Sequence, residues 1–428
     1  MNAMERTVLG KVARRLIPFI ALLYAFNILD RTNIGVASLQ MKPDLGFSDN
    51  VYGLGAGIFF LGYFIFEIPS NLILEKVGAR LWITRILFTW GVISAAMMFV
   101  KSASWFYFMR FLLGIAEAGF YPGIILYLTY WFPTVQRAQA VARFVAVSAI
   151  VGVLGGPLSG QLLRLDGLGG LQGWQWLFLL EGLPSCLLGF VAIRYLTDSP
   201  EKAEWLTGDE KAWLVEKLAS ERQVREDTHK HLSVLDALKS PRLMHFAFLF
   251  FLYVSAGYGV SFFAPLIFKG MTTWTDQKIS FLTALPGLVG ACSMLWSAHH
   301  SDKTGERRLH VASGAAIAAV GVMCLALAPS PALALCAMAL AELGRGIVQG
   351  PFWAMPTSLL SRAAAAGGIA LINSIGNLGG FVGPKAMGWL KDQTGGYQTG
   401  LFLLSGLLVG AAVLAVLVPK APAPQEAR

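Results

Sequence analysis

An aspartate and an arginine stand side by side in the first apolar stretch of this 428-residue chain. Asp30 and Arg31 lie near the centre of the run from Leu16 to Leu39, which can cross a bilayer because about 20 apolar residues span its hydrocarbon core. A charge at that depth costs roughly 2.5–3.5 kcal/mol on insertion scales, so two adjacent charges are expected to face the interior of a helix bundle. Two interpretations follow: a structural ion pair that joins two helices, or a polar site in which Arg31 binds an anion.

Two further charges lie in the fourth apolar stretch. Arg110 and Glu117 are seven residues apart, so on a helix they share one face and lie about 10 Å apart along the axis. Gly114 between them allows another helix to approach closely. Burial of a carboxylate and a nearby arginine have opposite effects on its ionisation. Glu117 is therefore predicted to carry a proton reversibly, and the alternative is a permanent Glu–Arg pair.

Other polar residues interrupt the later apolar stretches. Glu181 is interpreted as the buried partner of a basic group, with a structural role. Glu342 and Arg345 are three residues apart and are predicted to pair with each other. Asn373 and Asn377 are four residues apart, so their amides share one helix face and suit a hydroxylated ligand.

The composition is that of a membrane protein with many spans. The chain is 55% hydrophobic and 14% charged, whereas a soluble domain carries about 25% charged residues. Hydropathy predicts twelve spans, at 16–40, 51–74, 81–100, 105–131, 138–163, 175–196, 243–268, 279–299, 309–328, 332–361, 364–390 and 397–418. No metal-ligand spacing, phosphate-binding glycine loop or catalytic motif is present, so no metal, cofactor or enzyme activity is predicted. A net charge of +9 without a basic aromatic patch does not indicate nucleic-acid binding.

The distribution of Lys and Arg predicts the topology. These residues concentrate in alternate loops, which places both termini in the cytoplasm by the positive-inside rule. Five regions follow: a cytoplasmic tail at 1–15, a six-helix bundle at 16–196, a cytoplasmic loop at 197–242, a second bundle at 243–418 and a tail at 419–428. Within the central loop, Ser199-Pro200-Glu201 and a capping box at Thr207 and Glu210 predict short surface helices.

The two predicted bundles are related by a repeat. The loop EKVGAR recurs as DKTGER, and glycines of the fifth span recur in the eleventh, always 227 residues later. The pairs are Glu75 and Asp302, Arg80 and Arg307, Gly152 and Gly379, and Gly156 and Gly383. Such repeats are typical of secondary transporters with a central binding site. The predicted fold is all-α, with twelve transmembrane helices in two pseudo-symmetric six-helix bundles and the four charged loop residues in gating loops.

Several motifs resemble one transporter family, the anion:cation symporters of the major facilitator superfamily. They are LDRTNIGVA from Leu29, GY from Gly62 with EIPSN from Glu67, Arg110 with Glu117, YWFP from Tyr130 with Arg137, GPFW from Gly350 and INSIGNLGGFVGP from Ile372. Within that family, the chain is most similar to tartrate transporters. The first gating loop departs from the superfamily pattern, with Asn71 in place of the usual glycine and Ala79 in place of an arginine.

The resemblance implies a proton-coupled importer of an organic carboxylate that works by alternating access as a monomer in the inner membrane. Arg31 would bind the substrate carboxylate, Asp30 and Glu117 would be the protonation sites, and Arg110 would pair with Asp30. The remaining predicted substrate-binding residues are Tyr63, Tyr258, Trp353, Asn373 and Asn377.

The sequence is compatible with several alternatives. The asparagines favour tartrate or another hydroxy acid, whereas the aromatic residues Tyr63, Phe352 and Trp353 suit phthalate or 4-hydroxyphenylacetate. Export is compatible with the same fold, and a membrane-embedded sensor or enzyme is a remote alternative. Lys385 either reaches outward to the interface or supplies a second positive charge for a dicarboxylate. Substrate identity, proton stoichiometry, direction and oligomeric state are not determined by the sequence.

Overall fold

The computed structural model describes residues 3–226, 240–359 and 362–418, and its regular elements in these ranges are all helices. The α-helices are α1 (Ala3–Leu45), α2 (Asp49–Val77), α3 (Ala79–Ala96), α4 (Ala103–Glu117), α5 (Phe120–Thr129), α6 (Thr134–Leu162), α7 (Gly173–Tyr195), α8 (Gly208–Glu226), α9 (Pro241–Met271), α10 (Asp276–Ala284), α11 (Pro286–Thr304), α12 (Arg308–Leu327), α13 (Pro331–Leu359), α14 (Arg362–Asn377), α15 (Gly379–Thr394) and α16 (Gln398–Leu417). Short 3₁₀ helices connect some of them.

The predicted spans agree closely with the helices. Eleven helical segments of the described chain are long and apolar enough to cross a membrane. The predicted span at 364–390 coincides with α14 and α15, which meet at Leu378 and have 16 residues each. Neither half alone reaches the length of the other spans. The predicted tail at 1–15 is helical from Ala3 onward, since α1 runs without a break from there to Leu45.

The chain divides into two compact units. Unit 1 comprises residues 1–45 and 58–229, and unit 2 comprises residues 46–57 and 230–428. The first part of α2 therefore belongs to unit 2. There the Asp392 carboxylate accepts hydrogen bonds from the backbone N–H groups of Asp49 (3.1 Å) and Asn50 (2.9 Å) at the start of α2.

In unit 1, α2 and α4 approach so closely that glycine is required at their contact. A Cβ atom on Gly114 would lie 2.0 Å from the backbone oxygen of Phe59, and one on Gly62 would lie 2.4 Å from that of Phe111. Since real Cβ atoms do not come within 3.0 Å of such atoms, a larger residue would force the helices apart. The predicted role of Gly114 is confirmed, and the contact places Tyr63 and Glu117 beside the same stretch of α1.

The fourth predicted span is interrupted in its middle. Helix α4 ends at Glu117, Ala118 leaves the helical region, and Gly119 adopts a left-handed conformation with φ of +85° before α5 begins. Gly119 is also fixed by packing, since a Cβ there would lie 2.3 Å from the Ser70 hydroxyl. The break leaves the Glu117 carboxylate at the C-terminal end of a helix, which is the negative end of its dipole.

The predicted helices of the central loop are confirmed where the structure describes them. Pro200 begins a short 3₁₀ helix, and Thr207 and Glu210 form the predicted capping box at the start of α8, with N···O distances of 3.0 and 3.4 Å. The rest of that loop, residues 227–239, lies outside the described residues.

Candidate functional site

The centre of unit 1 is organised by the neighbouring residues Asp30 and Arg31 of α1. Consecutive residues of an α-helix point about 100° apart, so the two side chains meet different helices. Asp30 is directed at α3 and α7, whereas Arg31 is directed at α4. They therefore do not form one local ion pair, and each side chain has its own set of partners.

Arg31 forms a salt bridge with Glu117. One carboxylate oxygen of Glu117 accepts hydrogen bonds from both Nε, at 3.0 Å, and Nη2 of Arg31. Glu117 is almost completely buried, with 1% of its side chain exposed, whereas 18% of the Arg31 side chain is exposed. The second carboxylate oxygen of Glu117 has no hydrogen-bond partner among the described residues. The pair joins α1 to the broken end of α4 and leaves part of the Arg31 side chain exposed.

Two aromatic rings of α2 complete the surroundings of Arg31. Its Cζ atom lies 5.1 Å from the ring centroid of Tyr63 and 5.4 Å from that of Phe59. The Cζ atom of Arg110, whose side chain is fully buried, lies 5.0 Å from the same Phe59 ring. Aromatic faces attract a guanidinium within about 6 Å, so these rings support both cations. Arg31, Tyr63 and Glu117 are thus brought together as the sequence predicted.

Asp30 is held by three neutral donors. Its carboxylate accepts hydrogen bonds from the Trp90 indole N–H (2.7 Å), the Ser94 hydroxyl (2.8 Å) and the Ser185 hydroxyl (3.2 Å). Only 1% of Asp30 is exposed. The predicted pairing with Arg110 is not among these contacts and stays a prediction for another state of the protein.

Glu181 corrects an expectation drawn from the sequence. It was expected to meet a basic group, but its two oxygens accept hydrogen bonds from the Asn33 amide (2.9 Å) and the Ser159 hydroxyl (2.7 Å). Asn33 lies one turn after Asp30 on α1, and Ser159 lies on α6. Glu181 is 2% exposed, so unit 1 contains a second deeply buried carboxylate with neutral partners.

The predicted pair of Glu342 and Arg345 in unit 2 is confirmed. Their side chains form a salt bridge of 2.5 Å within α13. The Tyr253 hydroxyl donates to the backbone oxygen of Arg345 at 3.0 Å, and a Cβ on Gly257 would lie 3.0 Å from the Arg345 guanidinium. Glycine at position 257 thus makes room for this arginine.

The predicted substrate-binding residues of unit 2 lie on several helices. The ring of Phe250 stacks on Phe352 and meets Trp353 at an angle, both with centroids 4.9 Å apart. Tyr258 packs against Phe262 at 5.3 Å. Tyr258, Trp353, Asn373 and Asn377 are all partly exposed within the structure.

The predicted gating loops differ in their contacts. The Asp198 carboxylate caps α3 by accepting from the backbone N–H of Arg80 at 3.0 Å. Glu75 lines a half-open cavity of about 440 Å³ together with Asp198 and Arg137. In the second loop, Asp302 and Arg307 form a salt bridge of 3.1 Å.

The side chains that hold Asp30 were not identified from the sequence. Trp90 and Ser94 are four residues apart on α3 and share one face. A buried tryptophan usually directs its N–H at an acceptor. A tryptophan and a serine at this spacing in an apolar span therefore indicate a buried polar acceptor nearby. For Ser185 on α7 no comparable signal exists. Across the described chain, no group of three potential ligands is placed to hold a metal ion.

Comparisons with known proteins agree with this architecture. A sequence profile of the Major Facilitator Superfamily matches residues 20–384. The chain is 48% identical to an Agrobacterium vitis protein named "Putative tartrate transporter", over 98% of this chain and 93% of that protein. It is 39% identical to the quinolone resistance transporter of Acinetobacter baumannii, over 97% of this chain and 95% of the relative. Among solved structures, a bacterial homolog of the human lysosomal transporter Spinster superposes with a TM-score of 0.78 at 17% identity, over 94% of this chain and 96% of the other.

Proposed function

The chain belongs to the Major Facilitator Superfamily and is a membrane transporter, not an enzyme; from this premise we propose that it is a proton-coupled symporter that imports a small organic anion. The cargo we propose is tartrate or a similar hydroxy or sugar acid. The observation that carries the proposal is the Arg31–Glu117 salt bridge. In it the buried Glu117 carboxylate binds Arg31, whose side chain remains partly exposed.

This geometry supports a competition between Glu117 and an anionic substrate. Both would bind the Arg31 guanidinium, whose planar fork matches a carboxylate. Protonation removes the charge of Glu117 and weakens its hold on Arg31, which then becomes available to a substrate carboxylate. Because linkage is reciprocal, bound substrate must favour the protonated form of Glu117 by the same factor.

The competition also supplies a rule for alternating access. With one substrate carboxylate on Arg31 and a proton on Glu117, one guanidinium faces one carboxylate, as it does in the empty carrier with Glu117 ionised. A carrier with only one of the two ligands has an uncompensated charge in its centre, which is costly away from water. The fully loaded and fully empty forms would therefore interconvert readily, and the partly loaded forms would be stalled.

Asp30 is proposed as a second proton-coupling residue. Its position directly before Arg31 and its three neutral donors support this role. Arg110 is proposed as its charge partner when Asp30 is ionised and released from those donors.

The choice of a hydroxy acid is supported by the relatives named for tartrate transport and by the amides of Asn373 and Asn377. The aromatic group of Phe250, Phe352 and Trp353 favours a second candidate, an aromatic carboxylate such as phthalate or 4-hydroxyphenylacetate. From the distribution of Lys and Arg we also propose an inner-membrane location with both termini in the cytoplasm. The protein is proposed to act as a monomer.

The test is proton influx into proteoliposomes that contain the purified protein and a lumenal pH dye. L-Tartrate, galactonate, phthalate and 4-hydroxyphenylacetate are added outside, one at a time. We expect acidification with a hydroxy or sugar acid and none with the same acid in the Arg31→Ala variant. Acidification with an aromatic acid alone would select the second candidate. Radiolabelled tartrate that enters without acidification would refute proton coupling, and correctly inserted protein that responds to none of the four would refute the proposed substrate class.

A further inference from the structure

Glu181 is a buried acid that the proposed symport cycle does not use. It lies on α7, is 2% exposed and is directed at α1 and α6. An ionised carboxylate in such a place is stable only with a compensating cation or several strong donors. Both donors here, Asn33 and Ser159, are neutral.

The chemistry of these two partners distinguishes Glu181 from the other buried acids. A hydroxyl both donates and accepts, and an amide offers N–H groups on one side and an oxygen on the other. Ser159 and Asn33 therefore suit a carboxylate as well as a protonated carboxyl group. Glu117 is held by a cation, and one of the three partners of Asp30 is the donor-only indole of Trp90, whereas neither partner of Glu181 is restricted to donating.

A free acceptor lies beside the carboxyl group. The Oδ1 atom of Asn33 is buried and has no hydrogen-bond partner among the described residues, and the residue is 1% exposed. Rotation of the amide by 180° would direct this oxygen at Glu181, where it can accept a hydrogen bond from the protonated acid. The site can thus exchange one hydrogen-bond pattern for the other without moving a helix.

Glu181 is also within electrostatic reach of the predicted coupling residues. Asn33 follows Asp30 by one helical turn, so both lie on the same face of α1. Among the described residues, Asp30 is the charged group that acts on Glu181, and the hydrogen-bond partners of Glu181 on α1 and α6 are uncharged. Two like charges this close oppose each other, so a proton on one acid is linked to the charge of the other.

We infer that Glu181, with Asn33 and Ser159, forms an additional proton-binding site, and that its proton is taken up and released together with the substrate. The second part of this inference rests on the proposed symport, whereas proton binding itself does not. Each part therefore needs its own measurement.

Coupling is tested by the proton-to-tartrate ratio, from reversal potentials of proteoliposomes under imposed pH and L-tartrate gradients. We expect one proton fewer per tartrate in Glu181→Gln than in the wild type. The matched control Glu216→Gln removes an exposed carboxylate of α8 and should leave the ratio unchanged. A wild-type ratio in Glu181→Gln would overturn the coupling role. Failure of the proposed function would be visible in the wild type before any variant is compared.

Proton binding is tested without substrate, by infrared difference spectra of the bilayer-embedded protein between acidic and alkaline pH. We expect carbonyl bands of protonated carboxyl groups in the wild type and in Glu216→Gln, and the loss of one of them in Glu181→Gln. Identical spectra for the wild type and Glu181→Gln would overturn the site. If Glu181→Gln does not fold, Ser159→Ala keeps the acid and removes one hydrogen bond, so the band should move to higher frequency. An unmoved band would again overturn the site.

Discussion

The ion pair of unit 1 differs from the ion pair of unit 2 in what it connects. Arg31 and Glu117 lie on separate helices, α1 and α4, whereas Glu342 and Arg345 lie one turn apart on α13. The unit 1 pair contains a carboxylate that is only 1% exposed, whereas both members of the unit 2 pair are about one quarter exposed. Breaking the first pair therefore frees two helices from each other, and breaking the second leaves α13 intact.

The repeat makes this difference informative. The offset of 227 residues takes Arg31 to Tyr258, Asp30 to Gly257 and Glu117 to Gly344. Unit 2 has thus no charge at any of the three positions, and its arginine comes from α13 and packs on the glycine that replaces the aspartate. The two units thus share the repeated helices, but the ionisable residues Asp30, Arg31 and Glu117 are present in unit 1 alone at these repeat positions.

The largest expected effect is the loss of Arg31. Truncation of one partner of a buried charge pair costs about 2–5 kcal/mol, so Arg31→Ala should reduce tartrate uptake by at least ~30-fold. Arg345→Ala leaves a carboxylate that is already partly solvated and should reduce uptake much less. Initial rates of radiolabelled tartrate uptake, normalised to inserted protein, provide the measurement. Equal losses in the two variants would contradict an anion site centred on Arg31.

The next effect separates proton coupling from substrate binding. Glu117→Gln removes the competitor of the substrate and its titratable proton together, so uptake driven by a pH gradient should be lost. Exchange of internal for external tartrate should survive, with an apparent affinity that depends less on pH than in the wild type. Glu342→Gln, the matched change in unit 2, should retain uptake driven by the pH gradient. Loss of both uptake and exchange in Glu117→Gln would refute the proton role of this residue.

The repeated glycines should show a smaller effect on stability. A Cβ on Gly379 would lie 2.5 Å from the Phe251 backbone oxygen, whereas one on its repeat partner Gly152 meets nothing within 4 Å. Gly379→Ala should therefore lower the stability of the purified protein by about 1–3 kcal/mol, the usual cost of overpacking. Gly152→Ala should be neutral or slightly stabilising, because alanine favours the helix. Thermal unfolding in detergent measures both changes. Equal melting temperatures of the two variants would show that the backbone around Gly379 moves enough to accommodate the added methyl group.

The extent to which the sequence predicted this protein depends on the kind of interaction. Helix positions can be predicted from the length of each apolar run, because every residue of a span contributes to its mean hydropathy. The helices agree with the predicted spans to within a few residues, apart from the N-terminal extension of α1. The pairing of Glu342 with Arg345 was predictable because both lie on one helix. The Arg31–Glu117 pair was not predicted as a pair, because its members lie on separate helices, although each residue was singled out as a costly buried charge.

The partners of Asp30 and Glu181 were not predictable in the same way. Their donors come from helices distant in sequence, and which helices are neighbours is not encoded in hydropathy. The expected basic partner of Glu181 was wrong because two neutral donors satisfy a buried acid as well as a cation does when the acid can carry a proton. The break after Glu117 was also missed, since glycines in membrane helices more often serve close packing than left-handed turns.

The smallest expected effect concerns another ion pair of unit 1, which joins α1 to α8. Lys11 of α1 forms a salt bridge with Glu210 of α8, and nearly half of the lysine side chain is exposed. The hydrogen bond from Lys11, followed by the one from the Thr207 backbone N–H, lowers the pKa of Glu210. The pKa of Glu210 is lower when α8 is docked on α1 than when it is free. The salt bridge therefore stabilises the docked α8 at pH values above the ordinary glutamate pKa. It is lost as the pH falls through the lowered value.

Lys11→Met should therefore raise the pKa of Glu210 towards its ordinary value. Tartrate transport should stay nearly unchanged, since an ion pair whose lysine is nearly half exposed is screened by water and salt and contributes little. The titration of the Glu210 carboxyl carbon by NMR measures the shift. Lys101→Met, which removes an exposed lysine outside this pair, should leave that titration unaltered. A loss of transport in Lys11→Met as large as that in Arg31→Ala would show that docking of α8, and not the buried centre alone, controls the cycle.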